Sequence, residues 1–172
     1  VASWADGHFN PVFFCGPYGY GKTHLLNAIA WEAQRLRPEA KVVYLTAERF
    51  LSTFVKAMQD RSTAAFKDSL RSADMLLLDD VQFVGGKAST QEELLSTLTA
   101  LIEDGKRIVL SADRAPMALT DVEPRLRSHL AAGLTCPVEA GDRELKIAVA
   151  RLDASRALLG TARAAQWPDI DT

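Results

Sequence analysis

Residues 16 to 23 read Gly-Pro-Tyr-Gly-Tyr-Gly-Lys-Thr. Glycines at the first, fourth and sixth places let the backbone curl until successive N–H groups point at one spot. A lysine and a hydroxyl follow at once. The spacing is Gly-x-x-x-x-Gly-Lys-Thr, and the chemistry it serves is phosphate binding. Loop N–H groups and the positive end of the next helix cradle the phosphates. Lys22 would reach the β- and γ-phosphates, and Thr23 would hold Mg²⁺ through its hydroxyl. Gly16, Gly19, Gly21, Lys22, Thr23 and His24 are therefore the candidate binders of a nucleoside triphosphate. A chance Gly-rich turn is the competing reading. The flanks argue against it, because the apolar run Val12–Cys15 precedes the loop and a helical rhythm of Leu25, Leu26, Ile29 and Ala33 follows it.

A second chemical signal lies at Met75–Asp80, Met-Leu-Leu-Leu-Asp-Asp, an apolar strand ending in two acids. The expectation is that this strand lies beside the loop. Asp79 then holds Mg²⁺, and Asp80 orients or activates the attacking water. Taken alone the pair also fits a solvated turn. A third signal is Ser111-Ala112-Asp113-Arg114 after the strand Arg107–Leu110, at the strand end where open α/β sheets place ligands. Asp113 is the first choice for sensing the γ-phosphate and Ser111 the second. A cap or turn before Pro116 is the other reading of both.

These groups need a scaffold, and the remaining pattern supplies one. Strands are predicted at Val12–Cys15, Val42–Leu45, Met75–Leu78, Arg107–Leu110 and Leu134–Val138. Helices are predicted after the loop and at Ala47–Asp60 (Phe50, Phe54, Val55 and Met58 on one face), Thr63–Ser72, Gln91–Asp104, Pro124–Ala132 and Arg143–Leu159. Alternating βα units imply an α/β fold with three layers, a parallel sheet between helices, as in P-loop NTPases. The chain has 172 residues, 48% hydrophobic and 24% charged, with a net charge of −2. That suits a globular domain and gives no overall basic field for nucleic acid, so any DNA contact must be local. Cys15 and Cys136 read as reduced core residues of a cytoplasmic protein, and no apolar run approaches membrane-spanning length. Val1 is not a natural start, so the chain reads as a piece of a longer protein.

Three blocks are far more specific than a phosphate loop, Ala47-Glu48-Arg49-Phe50, Asp79-Asp80-Val81-Gln82-Phe83 and Gly86-Lys87-x-x-Thr90-Gln91-Glu92-Glu93, and Asn10-Pro11 and Arg125–Leu134 agree with them. From about Asn10 to Val138 the chain resembles the AAA+ ATPase domain of the DnaA family of bacterial replication initiators. The resemblance implies residues 1–140 as the αβ base, and 141–172 as the start of a helical lid. It implies ATP and Mg²⁺ as cofactors. Asp113 falls at the family's sensor 1 position and Asp80 where most AAA+ ATPases carry Glu, which suits slow, switch-like hydrolysis.

The resemblance further implies that the ATP state self-assembles into a filament at the origin. There Val55, Lys87 and Thr90 grip single-stranded DNA, while duplex boxes are read by a domain absent from this stretch. The replicative helicase and regulators are further possible partners. For Lys87 a solvated lysine, and for Val55 core packing, are the alternative readings. Ser89 stands where some relatives carry a DNA-binding Arg, and Ser89-x-x-Glu92 reads as a helix capping box. The arginine-finger position is occupied by His129, with Arg125 one turn earlier as the nearest fixed cation. The lid's sensor 2 arginine has no counterpart here, so weaker nucleotide binding by this stretch alone is expected. Two rival functions stand beside this one: a nucleotide-binding regulator of the initiator without DNA binding, and a helicase-loader ATPase.

Overall fold

Each predicted apolar run among the described residues becomes a strand of one sheet. The computed structural model describes residues 9–139. Strands β1 (Val12–Cys15), β2 (Val42–Thr46), β3 (Met75–Asp79), β4 (Arg107–Ala112) and β5 (Leu134–Pro137) are all parallel, in the order β2-β3-β4-β1-β5. Helices α1 (Lys22–Leu36), α2 (Ala47–Gln59), α3 (Thr63–Arg71), α4 (Ala88–Glu103) and α5 (Pro124–Leu130) connect them. The predicted lid segment 141–172, with the helix Arg143–Leu159, lies outside the described residues.

The strand order corrects one expectation. β3 is not beside the loop strand, since β4 lies between β1 and β3. The acid at the end of β3 must reach the loop's helix across an intervening strand. Register decides whether it can. Residues two apart on a strand share a face. Leu77 is level with Tyr44 and Val109, so Tyr44, Asp79 and Ser111 all fall on the face carrying Met75, Leu77 and Val109. That face is covered by α1 through Leu26, Ala30 and Ala33. The odd residues of β3 thus deliver a carboxylate to the N-terminus of α1, and the even ones, Leu76 and Leu78, go to the other core.

The other face is covered by α2, α3, α4 and α5 through Phe50, Phe54, Phe66, Leu94, Leu98 and Leu126. Phe66 meets Phe50 edge-on at 5.5 Å between centroids and Phe54 at 5.6 Å. On α2 the buried stripe is Phe50, Phe54 and Ala57, while Met58 is exposed and Val55 half-buried. The predicted stripe was one residue off, because spacings of four and three carry 50 to 54 to 57 onto one line.

Helix α4 starts earlier than its periodicity suggests, at Ala88, and the capping box is not formed. Lys87 is the cap residue, without a side-chain cap bond, and Ser89 lies inside the first turn. The turn before it is fixed by backbone instead. Gly86, at φ 70°, donates to the Asp121 carbonyl at 2.9 Å, and Lys87 donates to the Val84 carbonyl at 3.1 Å. Cys15 is buried and Cys136 only partly so, and both are free thiols. Alternation sends them to opposite faces, since Cys136 is level with Phe14 rather than with Cys15. No described helix is long and apolar enough to cross a membrane.

Candidate nucleotide site

The loop runs from the end of β1 straight into α1. Gly19 and Gly21 sit at φ 81° and 91°, where side chains with a Cβ are strained. Gly16 has another reason to be glycine, because a Cβ there would come within 2.5 Å of the Val138 carbonyl oxygen. Gly21 caps α1 with no side-chain bond, and the first turn holds no acid. The first intrahelical bond is from the Leu25 N–H to the Gly21 carbonyl at 2.9 Å. Helix geometry therefore gives the N–H groups of Lys22, Thr23 and His24 no acceptor of their own within the helix, an arrangement that suits an anion, with the positive end of the helix dipole behind it. His24 belongs here through its backbone; its side chain is exposed.

Lys22 is only 5% exposed. Its ammonium donates to the carbonyls of Gly16 (2.5 Å) and Pro17 (2.9 Å) and lies 5.6 Å from the centre of the Tyr18 ring. Two of its three N–H groups hold it over the loop, which leaves one N–H and the whole charge for a phosphate.

Asp79 is buried, and three hydroxyls converge on it. Thr23 Oγ1 donates to Oδ2 at 2.6 Å, Tyr44 Oη donates to the same oxygen at 2.8 Å, and Ser111 Oγ donates to Oδ1. Thr23 and Asp79, the two predicted metal ligands, are thus in direct contact. Burial first, then the Asp79 carboxylate, push the Tyr44 phenol well above its ordinary range, so it stays protonated and donates. Ser111 is fully buried; besides serving Asp79 it accepts from the Asp80 N–H at 2.9 Å. It positions both acids and is not displayed for γ-phosphate sensing.

Asp80 is in the left-handed region at φ 59°. Its carboxyl is pushed above the ordinary carboxylate range, chiefly by burial, while the hydrogen bond from Gln82 opposes the rise. Asp113 sits past β4 with both carboxylate oxygens taken by Arg114, at 2.9 Å each. Arg114, missed in the sequence, lines a cavity of about 540 Å³ beside the loop with Gly16, Pro17 and Tyr20. Tyr44 and Gln82 were missed as well. No spacing rule announces them, and only register and the turn after β3 bring them in.

The remaining predicted residues lie elsewhere. Lys87 is exposed at the head of α4, and Val55 is half-buried on α2. Thr90 is 3% exposed, so its side chain is not offered at the surface. Arg125 is exposed on α5, in the layer opposite α1, and His129 follows it one turn later. His129 Nδ1 lies 3.0 Å from the Arg125 carbonyl. A carbonyl only accepts, so Nδ1 carries the proton and Nε2 is left as the outward atom.

The geometry has parallels among known proteins. The family described as the bacterial DnaA ATPase domain matches residues 1–137. The chromosomal replication initiator protein DnaA of Caulobacter sp. (strain K31) is 68% identical over 149 residues, which is 87% of this chain and 31% of that relative. The chain therefore spans about a third of the length of that relative. The structure of AMPPCP-bound DnaA from Aquifex aeolicus matches with TM-score 0.75 and 34% identity, over 86% of this chain and 45% of that one. A replication initiator DnaA bound to AMPPCP and single-stranded DNA matches with TM-score 0.75 and 28% identity, over 91% and 57%.

Proposed function

The chain belongs to the bacterial DnaA ATPase-domain family, an AAA+ ATPase fold, and from that premise we propose that it is the ATP·Mg²⁺ switch of a chromosomal replication initiator. The observation that carries the reading is the Thr23–Asp79 contact at the head of α1, reached across β4 and set by Tyr44 and Ser111. The hydroxyl and the carboxylate are hard oxygen donors of the kind Mg²⁺ takes, so they would hold the ion. Bound there, Mg²⁺ would neutralise charge on the β- and γ-phosphates. The chain's own residues do the rest. Lys22 and the N–H groups at the start of α1 orient the triphosphate, Asp80 takes up the attacking water, and Asp113 with Arg114 faces the γ end.

Hydrolysis is slow in this proposal. Asp80 is one methylene shorter than the glutamate of most AAA+ ATPases, so it should hold the attacking water less well. The ATP state assembles into a filament at the origin and holds single-stranded DNA with Lys87 and Val55. Thr90, being buried, is left out of that contact. Segment 141–172 begins the lid, the protein works in the cytoplasm, and duplex recognition and contacts to the helicase lie outside residues 9–139. Family membership sets the helicase-loader reading aside.

Titrating the intact protein with fluorescent oligo-dT in ATP and in ADP tests the reading. ATP should tighten binding. Lys87→Ala should weaken it about tenfold at low salt and lower the salt slope by about one, with ATP affinity unchanged. Equal DNA binding in both nucleotides would sink the proposal, and ATP binding with no DNA retention would favour the regulator reading.

Assembly depends on α5. It packs in the layer opposite α1, which supports the reading that its cations serve a neighbouring subunit's nucleotide. Arg125 carries a fixed planar charge, while the His129 imidazole lacks that fork and has its Nδ1 beside the Arg125 carbonyl. Arg125→Ala is expected to abolish ATP-dependent assembly in sedimentation, and His129→Ala to leave it within about twofold. The opposite order would hand the contact to His129.

A further inference from the structure

We propose that Gln82 is a positioning residue for hydrolysis, its amide tying together the tip of the phosphate loop, Asp80 and the backbone entering Asp113. The inference rests on the reading that this site hydrolyses ATP.

Gln82 is the second residue of the 3-10 turn Val81–Val84 that follows the two acids. Its Nε2 donates to Tyr18 Oη at 3.0 Å and to Asp80 Oδ1 at 3.2 Å, and its Oε1 accepts from the Asp113 N–H at 3.2 Å. One side chain thus touches three segments that come from β1, β3 and β4. The partners fix which way the amide points. The Asp113 N–H can only donate, so Oε1 must face it, and the NH₂ group must face the carboxylate and the phenol. Turned over, the amide would set an oxygen against the Asp80 carboxylate and an NH₂ against an N–H.

Asp80 needs such a holder. Its backbone is left-handed, and its N–H is fixed by Ser111. Its side chain is fixed by Gln82. The same amide reaches Tyr18, whose ring lies 5.6 Å from the Lys22 ammonium. A change in the loop that carries phosphate therefore moves the amide that holds the acid. Gln82 itself makes no hydrogen bond to Asp79, Thr23 or Lys22, so metal and nucleotide affinity should be largely spared when its amide is removed.

The test uses the full-length protein, single-turnover hydrolysis of radiolabelled ATP, and ATP affinity by titration. Gln82→Ala is expected to slow hydrolysis about tenfold, a fraction of what a general base contributes, with the ATP Kd within about twofold. Gln82→Glu keeps the size and the acceptor but turns a second carboxylate on Asp80, so it should be slower than Gln82→Ala. A residue that merely fills space gives the reverse order. Tyr18→Phe removes only Oη and should cost about threefold, an effect that vanishes in the Gln82→Ala background. Hydrolysis by Gln82→Glu at or above the rate of Gln82→Ala, or a loss confined to Kd, overturns the proposal. An unsubstituted protein that binds ATP without turning it over overturns the hydrolysis reading and this inference with it, and that failure is visible before any variant is made.

Discussion

Lys22→Ala is expected to lower ATP affinity about 100-fold, the loss of one strong charge-assisted hydrogen bond in a site of low dielectric. The size follows from where the ammonium is held. It is buried and fixed by two loop carbonyls, so little side-chain entropy remains to be lost when phosphate arrives. An exposed lysine at the same distance would be worth far less, because water screens it and its rotamers are free. The α1 N–H groups remain in the variant, so binding should weaken and not vanish. Lys22→Arg should not restore it. A guanidinium is a larger, planar group, and the two loop carbonyls here meet a compact ammonium on a lysine stem. Isothermal titration with ATP·Mg²⁺ reads the effect, and an affinity within threefold of the parent in Lys22→Ala would refute the role assigned to this residue.

The loop was legible because its chemistry is local. Gly19, Gly21, Lys22 and Thr23 act within one turn of each other, so spacing alone states the geometry. Asp79 was legible for a related reason, since an apolar run ending in acids marks the exit of a buried strand. What surrounds Asp79 was not. Tyr44 and Ser111 reach it only through strand order and register, which depend on contacts 35 and 32 residues apart in the chain. Placing the acid strand next to the loop strand failed for that reason: nothing in either run says which strand its edge will meet. Ser111 looked like a sensor from its place after a strand. Counting two from Val109 puts it on the α1 face instead, under the acids. The capping box failed because a glycine turn pinned to Asp121 fixes the start of α4 before Ser89 is reached. Thr90 shows the same limit, since the side of α4 it occupies is set by that starting point.

Asp79→Asn is expected to melt no lower than the parent and yet to lose the whole Mg²⁺-dependent part of ATP binding. The two halves of that expectation come from one fact. Asp79 is 1% exposed, and its carboxylate accepts from three neutral hydroxyls, while the Lys22 ammonium donates to the loop carbonyls of Gly16 and Pro17. Neutral donors offset the desolvation of a buried charge only in part. Asparagine removes that charge and keeps the shape, and the hydroxyls of Thr23 and Tyr44 can turn to accept from its NH₂ group. Asp79→Ala differs, because it takes away the acceptor shared by three hydroxyls, one of them on the fully buried Ser111, and opens a small void. It should cost about 3 kcal/mol, or roughly 6 to 12 °C in Tm for a domain of this size. Nucleotide titrations in Mg²⁺ and in EDTA separate the roles. The parent should bind ATP more tightly in Mg²⁺, and Asp79→Asn should bind it equally in both. If Asp79→Asn melts well below the parent, the carboxylate is a structural anchor of the Thr23–Tyr44–Ser111 cluster. If it keeps the Mg²⁺ dependence, the ion is held elsewhere. If it behaves as expected, the acid is a site where stability is given up for the ion, and the register that brings Tyr44 and Ser111 beneath it is what keeps an otherwise unfavourable charge in place.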